Sequence, residues 1–101
     1  MATRTQARES VIGLLYAYDL GNEGIVKFVD EILEDKKIRN KQKDFALNLF
    51  NGTVENIEAI DKEIISHLNQ GTLSDIGSVE KSILRIAVYE ILFEDLQKAI
   101  V

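Results

Sequence analysis

Proline is absent from all 101 residues, so no backbone position in this chain is barred from helix. Against that background, apolar residues recur every three or four positions almost from end to end, the spacing of one helical face. The stretch "TRTQARESVIGLLYAYDL" opens the pattern. Thr3 and Gln6 fit a capping box, and Ala7, Val11, Leu14, Leu15 and Tyr18 follow as an apolar stripe. Gly21 and Gly24 stop it, and Ile25, Phe28, Val29, Ile32 and Leu33 repeat the stripe in a short second helix. The spacing then predicts one long third helix from about Arg39 to Leu68. Its face carries Ala46, Phe50, Thr53, Ile57, Ile60, Ile64 and Leu68. Such a rod spans roughly 45 Å at 1.5 Å per residue. Gly52 inside it costs about 1 kcal/mol relative to alanine, so a crossing helix is expected to approach closely there, and likewise at Gly13. "NQGTLSDIG" reads as a connector with one short turn at Leu73–Ile76.

The segment "SVEKSILRIAVYEIL", residues 78–92, is apolar on more than one side. Ser78 is a candidate cap, with Glu80 favoured in the first turn by the helix dipole. Val79, Ile83, Ile86, Ala87 and Ile91 form one apolar face, widened by Leu84, Val88 and Leu92. A helix this broadly apolar is expected to be enclosed by others, as the central element of an all-α bundle. Ser82, Arg85 and Tyr89 share a narrow polar strip. A buried arginine without a partner costs several kcal/mol, so Arg85 is expected to have a carboxylate or carbonyls beside it, with Tyr89 and Glu90 as nearby candidates.

Length and composition fit one small domain, residues 1–101, with 46% apolar residues. The lack of cysteine excludes a disulfide framework and thiolate metal sites. No apolar run is long enough to cross a bilayer, and no signal peptide opens the chain, so a cytoplasmic protein is the default expectation. The net charge of −5 is unevenly spread. "KKIRNKQK", residues 36–43, holds five bases and no acid and reads as a loop leading into the third helix. Exposed charges are screened over roughly 8 Å at physiological salt, so such a local cluster can hold phosphates on an acidic protein. Arg4 and Arg8 lie one turn apart on one face. Two guanidinium forks there suit phosphates and base edges, although spacing alone favours a merely solvated helix end. Tyr16 lies off the apolar stripe.

Catalytic signatures are missing. His67 is the only histidine, and there is no glycine-rich phosphate loop. The carboxylate pairs Glu34–Asp35 and Glu94–Asp95 are adjacent in sequence, so they point about 100° apart on a helix and do not converge. A binding protein is expected, with no cofactor and no metal.

"QARESVIGLLYAYDL", "LFNGTVENIEAIDKEI" with its Gly52 and Asp61, and "VEKSILRIAVYEIL" together resemble the characteristic segments of the NusB family of bacterial transcription antitermination factors, in the family's order. The resemblance implies a compact helical bundle. It implies binding of boxA RNA from ribosomal RNA leader transcripts, together with the ribosomal small-subunit protein NusE, and loading onto RNA polymerase. Carried over by position, Arg4, Thr5 and Arg8 match the family's arginine-rich, RNA-associated start, which is thinner here. Lys36, Lys37 and Arg39 are candidate compensating RNA contacts without a motif match. Tyr16 and Glu80 match positions on the NusE contact surface. The connector with His67 and Gln70 lacks the family's usual aromatic and basic residues. Family members usually continue through two further helices beyond "KAIV", so the domain is expected to be incomplete at its carboxyl end. The apolar face of 79–93 is then expected to be partly exposed, with a homodimer through that face as a consequence. Two rival readings are the RNA-binding extension of an rRNA cytosine methyltransferase and a helical interaction adaptor without RNA affinity.

Overall fold

The computed structural model describes residues 2–68 and 71–94; Gln70, Asp95 and the "KAIV" end lie outside them. All regular structure among these residues is helical. Helix α1 (Arg4–Asp19) starts at a complete capping box: Gln6 N–H donates to Thr3 Oγ1 at 3.1 Å, and Thr3 N–H to Gln6 Oε1 at 2.8 Å. Ala7, Val11, Leu14 and Leu15 are buried as the stripe predicts, with Tyr18 edge-on to Phe50. The second segment is a 3₁₀ turn (Glu23–Phe28) running into α2 (Val29–Asp35). Val29 and Leu33 are buried there, whereas Phe28 points outward at 52% exposure.

The long third helix is two helices. Helix α3 (Asn40–Glu55) ends at Asn56, and α4 (Ile57–Ser66) begins immediately after. The break falls at Asn56, whose side-chain amide donates to the Gly52 carbonyl at 2.8 Å in competition with the regular helical bond from its own backbone N–H at 3.1 Å. Asparagine offers the backbone this local alternative to the helical ladder. Two rods of about 24 and 15 Å therefore replace one of 45 Å. The stripe survives the break, since Ala46, Phe50, Thr53, Ile60 and Ile64 are all buried.

A 3₁₀ turn (Leu73–Asp75) precedes α5 (Ser78–Tyr89), which runs into a π-helical turn (Glu90–Glu94). Gly77, not Ser78, occupies the cap position, and Glu80 curls back over it. Helix α5 is central in that it packs on α1, α3 and α4, but those neighbours do not enclose it all round. Ser82, Arg85, Ile86 and Tyr89 form the buried seam, while Val79 and Ile83 are each 47% exposed, alongside exposed Leu84 and Ile91. The helix is enclosed on one side only, which agrees with the partial exposure expected of residues 79–93.

The polar strip goes inside because its charges are matched there. Arg85 forms a two-pronged pair with Asp61 of α4, 2.8 Å at both contacts, and a third bond of 3.0 Å to Asp19 of α1. Lys81 adds a 3.1 Å contact to Asp19. Burial pushes the Asp19 carboxyl up, but hydrogen bonds from Lys81 and Arg85 outweigh it and hold the group below its ordinary value. Burial likewise opposes the Arg85 charge, and the Asp61 and Asp19 bonds more than restore it. The expected carboxylate partner is thus present, as Asp61 and Asp19 rather than Glu90.

Tyr89 lies against Gly52, where a methyl group would overlap its ring. That is the close approach predicted for Gly52. Gly13 has only open space around its missing side chain, so no helix crosses there.

Candidate nucleic-acid interface

The exposed start of α1 carries Arg4 and Arg8 on one face, as their spacing predicts, and α3 supplies what lies beneath. Phe45, in the second turn of α3, takes the Arg4 guanidinium 4.1 Å from its ring centroid and that of Arg8 at 5.2 Å. Each such contact is worth roughly 0.5–1 kcal/mol at an exposed site. Arg8 is held further by Glu90, with Nε and Nη2 donating to the carboxylate at 3.1 and 2.8 Å. Glu90 therefore serves the amino end of α1, not the Arg85 cluster. Sequence spacing singles out neither Phe45 nor Glu90 as a site residue, because each meets α1 only through the tertiary fold. Thr5 is exposed on the neighbouring flank of the same turn.

The basic run is split by its own anchors. Lys36–Arg39 form the link between α2 and α3, and Lys41–Lys43 belong to the first turn of α3. Ile38 is buried, and its N–H donates to the Leu33 carbonyl at 2.9 Å. Arg39 pairs with Glu34 at 3.1 Å, and Lys43 bonds both Glu34 and Asp30. The Lys43 hydrogen bond, joined by the Lys43 charge and Arg39, holds the Glu34 carboxyl below its ordinary value against the opposing push of desolvation. These contacts fix the loop. Lys36 and Lys37 stay exposed on it.

A groove of about 990 Å³ runs between this loop and the first turns of α1. Gln6, Glu9 and Ser10 line one wall, and Lys36, Lys37, Arg39 and Lys41 lie on the other. Arg4 and Arg8 do not line it, sitting on the opposite flank of α1. The structure thus gathers the six candidate RNA residues at one end of the molecule, in two adjoining places.

Tyr16 and Glu80 sit at the other end of α1. Tyr16 is 39% exposed and Glu80 is exposed. Asp19, one turn beyond Tyr16, is tied to Lys81, the neighbour of Glu80, so the two candidates belong to adjoining helix ends. Among the described residues no group of metal-ligating side chains converges, and no helix is long and apolar enough to cross a membrane.

Comparison with known proteins places this architecture. The NusB family profile matches residues 5–101. A protein of Aliarcobacter butzleri (strain RM4018), named transcription antitermination protein NusB, is 82% identical over all of this chain and 77% of its own length. Proteins of the same name from a Nitratiruptor species and from Campylobacter jejuni (strain RM1221) are 59% and 54% identical. Each aligns with the whole chain, which covers 73% and 76% of their lengths. No solved structure matches the chain.

Proposed function

The chain belongs to the NusB family, a transcription antitermination factor and not an enzyme, and on that premise we propose that it binds boxA-type RNA of ribosomal RNA leader transcripts together with the ribosomal protein NusE. The pair then joins the RNA polymerase antitermination complex in the cytoplasm. RNA binds at the amino end of α1 through Arg4, Thr5 and Arg8, and the backbone is steadied by Lys36, Lys37 and Arg39. NusE docks at the opposite end of α1, on Tyr16 and Glu80.

One observation carries the RNA part: two guanidiniums are held over a single phenylalanine ring on an exposed helix start. Arginines already fixed in place lose little side-chain freedom on meeting a ligand. Arginine planes accept stacked bases and an arginine N–H fork donates to phosphate oxygens, a role Arg4 takes more readily because the Arg8 fork donates to Glu90. The same identity favours antitermination over the methyltransferase reading, since the relatives named above carry the antitermination name.

The test is fluorescence anisotropy of a labelled boxA RNA. Arg4→Ala is expected to weaken binding about tenfold, the scale of the roughly 1–3 kcal/mol attached to a good base contact, with the melting temperature lowered by no more than about 8 °C for the lost Phe45 contact. Equal affinity for variant and parent contradicts the assignment.

A further inference from the structure

The groove beside the Arg4–Arg8 site has a chemistry of its own. Four of its lining residues, Lys36, Lys37, Arg39 and Lys41, are cationic, and Glu9 is the single acid among them. Among the described residues Lys36, Lys37 and Lys41 make no ion pair, so three of the four charges face solvent unmatched. None of the lining residues is aromatic. Bases stack on aromatic faces or on arginine planes; the groove has no aromatic face, and its one guanidinium, Arg39, is tied to Glu34.

The loop holding the lysines is kept in a costly shape. Lys37 and Asn40 both adopt left-handed backbone, at φ 62° and 58°. Asparagine tolerates that region; lysine does so at a cost of order 1 kcal/mol. Buried Ile38 between them, with the Lys37 N–H bonded to the Glu34 carbonyl at 2.9 Å, over-determines the turn. A strained, anchored turn that presents unmatched lysines into a groove is organised before any ligand arrives.

We propose that this groove is a phosphate track, holding the sugar–phosphate backbone of the single-stranded RNA bound at Arg4 and Arg8 without reading its bases. The inference rests on the RNA reading above and deepens it: sequence is read at the α1 start, and the groove adds affinity that any sequence receives. Phosphate contacts position a nucleic acid and base contacts specify it, so the two sites divide those tasks.

The experiment uses the full chain with Lys36→Gln, Lys37→Gln and Lys41→Gln combined. Two probes are used, a boxA RNA and a scrambled RNA of the same length, each titrated across a range of salt concentrations. Both RNAs are expected to weaken by the same factor. The slope of log affinity against log salt falls by about 2, near 0.7 for each cation removed from a single strand. A control with Lys27→Gln and Lys62→Gln, exposed residues that do not line the groove, is expected to change the slope by much less. Unchanged melting shows that the variant folds. Weakening of boxA alone overturns the proposal, because the groove then reads bases. An unchanged slope in the triple variant, with Arg4→Ala still impaired, overturns the track and leaves the RNA reading standing. Polyglutamate bound by the parent and released by the triple variant, with RNA unaffected, reassigns the groove to an acidic protein. If the parent binds neither RNA, the track and the RNA reading fall together.

Discussion

The two sides of α5 differ in a way that polarity alone inverts. One side carries Ser82, Arg85 and Tyr89 and is buried; the other carries Val79, Ile83, Leu84 and Ile91 and is largely exposed. Apolar area favours burying the second side by about 25 cal/mol for each Å². The first side wins within this chain because each of its groups meets a partner shaped for it. Asp61 and Asp19 receive the guanidinium, the glycine at 52 makes room for the tyrosine ring, and Ser82 Oγ donates to the Ser78 carbonyl at 3.0 Å. A polar seam with matched partners specifies one docking geometry, which a uniformly apolar side does not.

The largest loss is expected at Arg85. Arg85→Ala leaves Asp61 and Asp19 without their shared cation, and removing one partner of a buried pair costs about 3–5 kcal/mol. Chemical denaturation is expected to show that loss, and a change below about 1 kcal/mol, the scale of an exposed pair, would mean the seam is held by packing alone. Gly52→Ala comes next, because the added methyl overlaps the rigid Tyr89 ring rather than a flexible chain end. Overpacking of this kind costs about 1–3 kcal/mol, and pairing it with Tyr89→Leu should recover part of the loss.

A close approach at Gly52 and a carboxylate beside a buried Arg85 were both legible in the sequence, but that Tyr89 makes the approach and that Asp61 and Asp19 supply the carboxylates was not. Helical spacing groups Ser82, Arg85 and Tyr89 on one strip, but it gives no sign of which strip faces inward when both flanks are apolar. The break at Asn56 was hidden for a related reason. Ile57 and Ile60 keep the apolar rhythm across it, and the bond from the Asn56 side chain to the Gly52 carbonyl leaves no trace in that rhythm. At the candidate interface, the shared face of Arg4 and Arg8 follows from their spacing. Phe45 beneath them and Glu90 beside them are brought in by α3 and the end of α5, beyond the reach of any local pattern.

Acid titration of the buried seam has a smaller expected effect. The Asp19 carboxyl is held below its ordinary value of 3.8 by the Lys81 and Arg85 bonds, against the opposing push of burial. A depressed folded-state value means stability that is present above the unfolded value and lost as pH falls through the folded one. Thermal stability of the parent is therefore expected to drop below about pH 4, and Asp19→Asn should be less stable at neutral pH and show a shallower acid slope. An identical slope in the variant removes Asp19 from the account. On the exposed side the expected effect is smallest: Ile83→Ser should shift stability by no more than about 0.5 kcal/mol, as for a surface substitution. A loss of about 2 kcal/mol or more, on the scale of a core truncation, would show that this side is covered in solution.

The two ends of α1 bear the functional claim, and crossing two variants with two ligands tests it most directly. Arg4→Ala and Glu80→Lys are each measured against boxA RNA and against NusE. The prediction is that Arg4→Ala loses RNA affinity and keeps NusE, while Glu80→Lys loses NusE and keeps RNA, with both variants folded at the assay temperature. If either variant impairs both ligands equally, or neither variant impairs its own, the separation of an RNA end from a protein-docking end is contradicted.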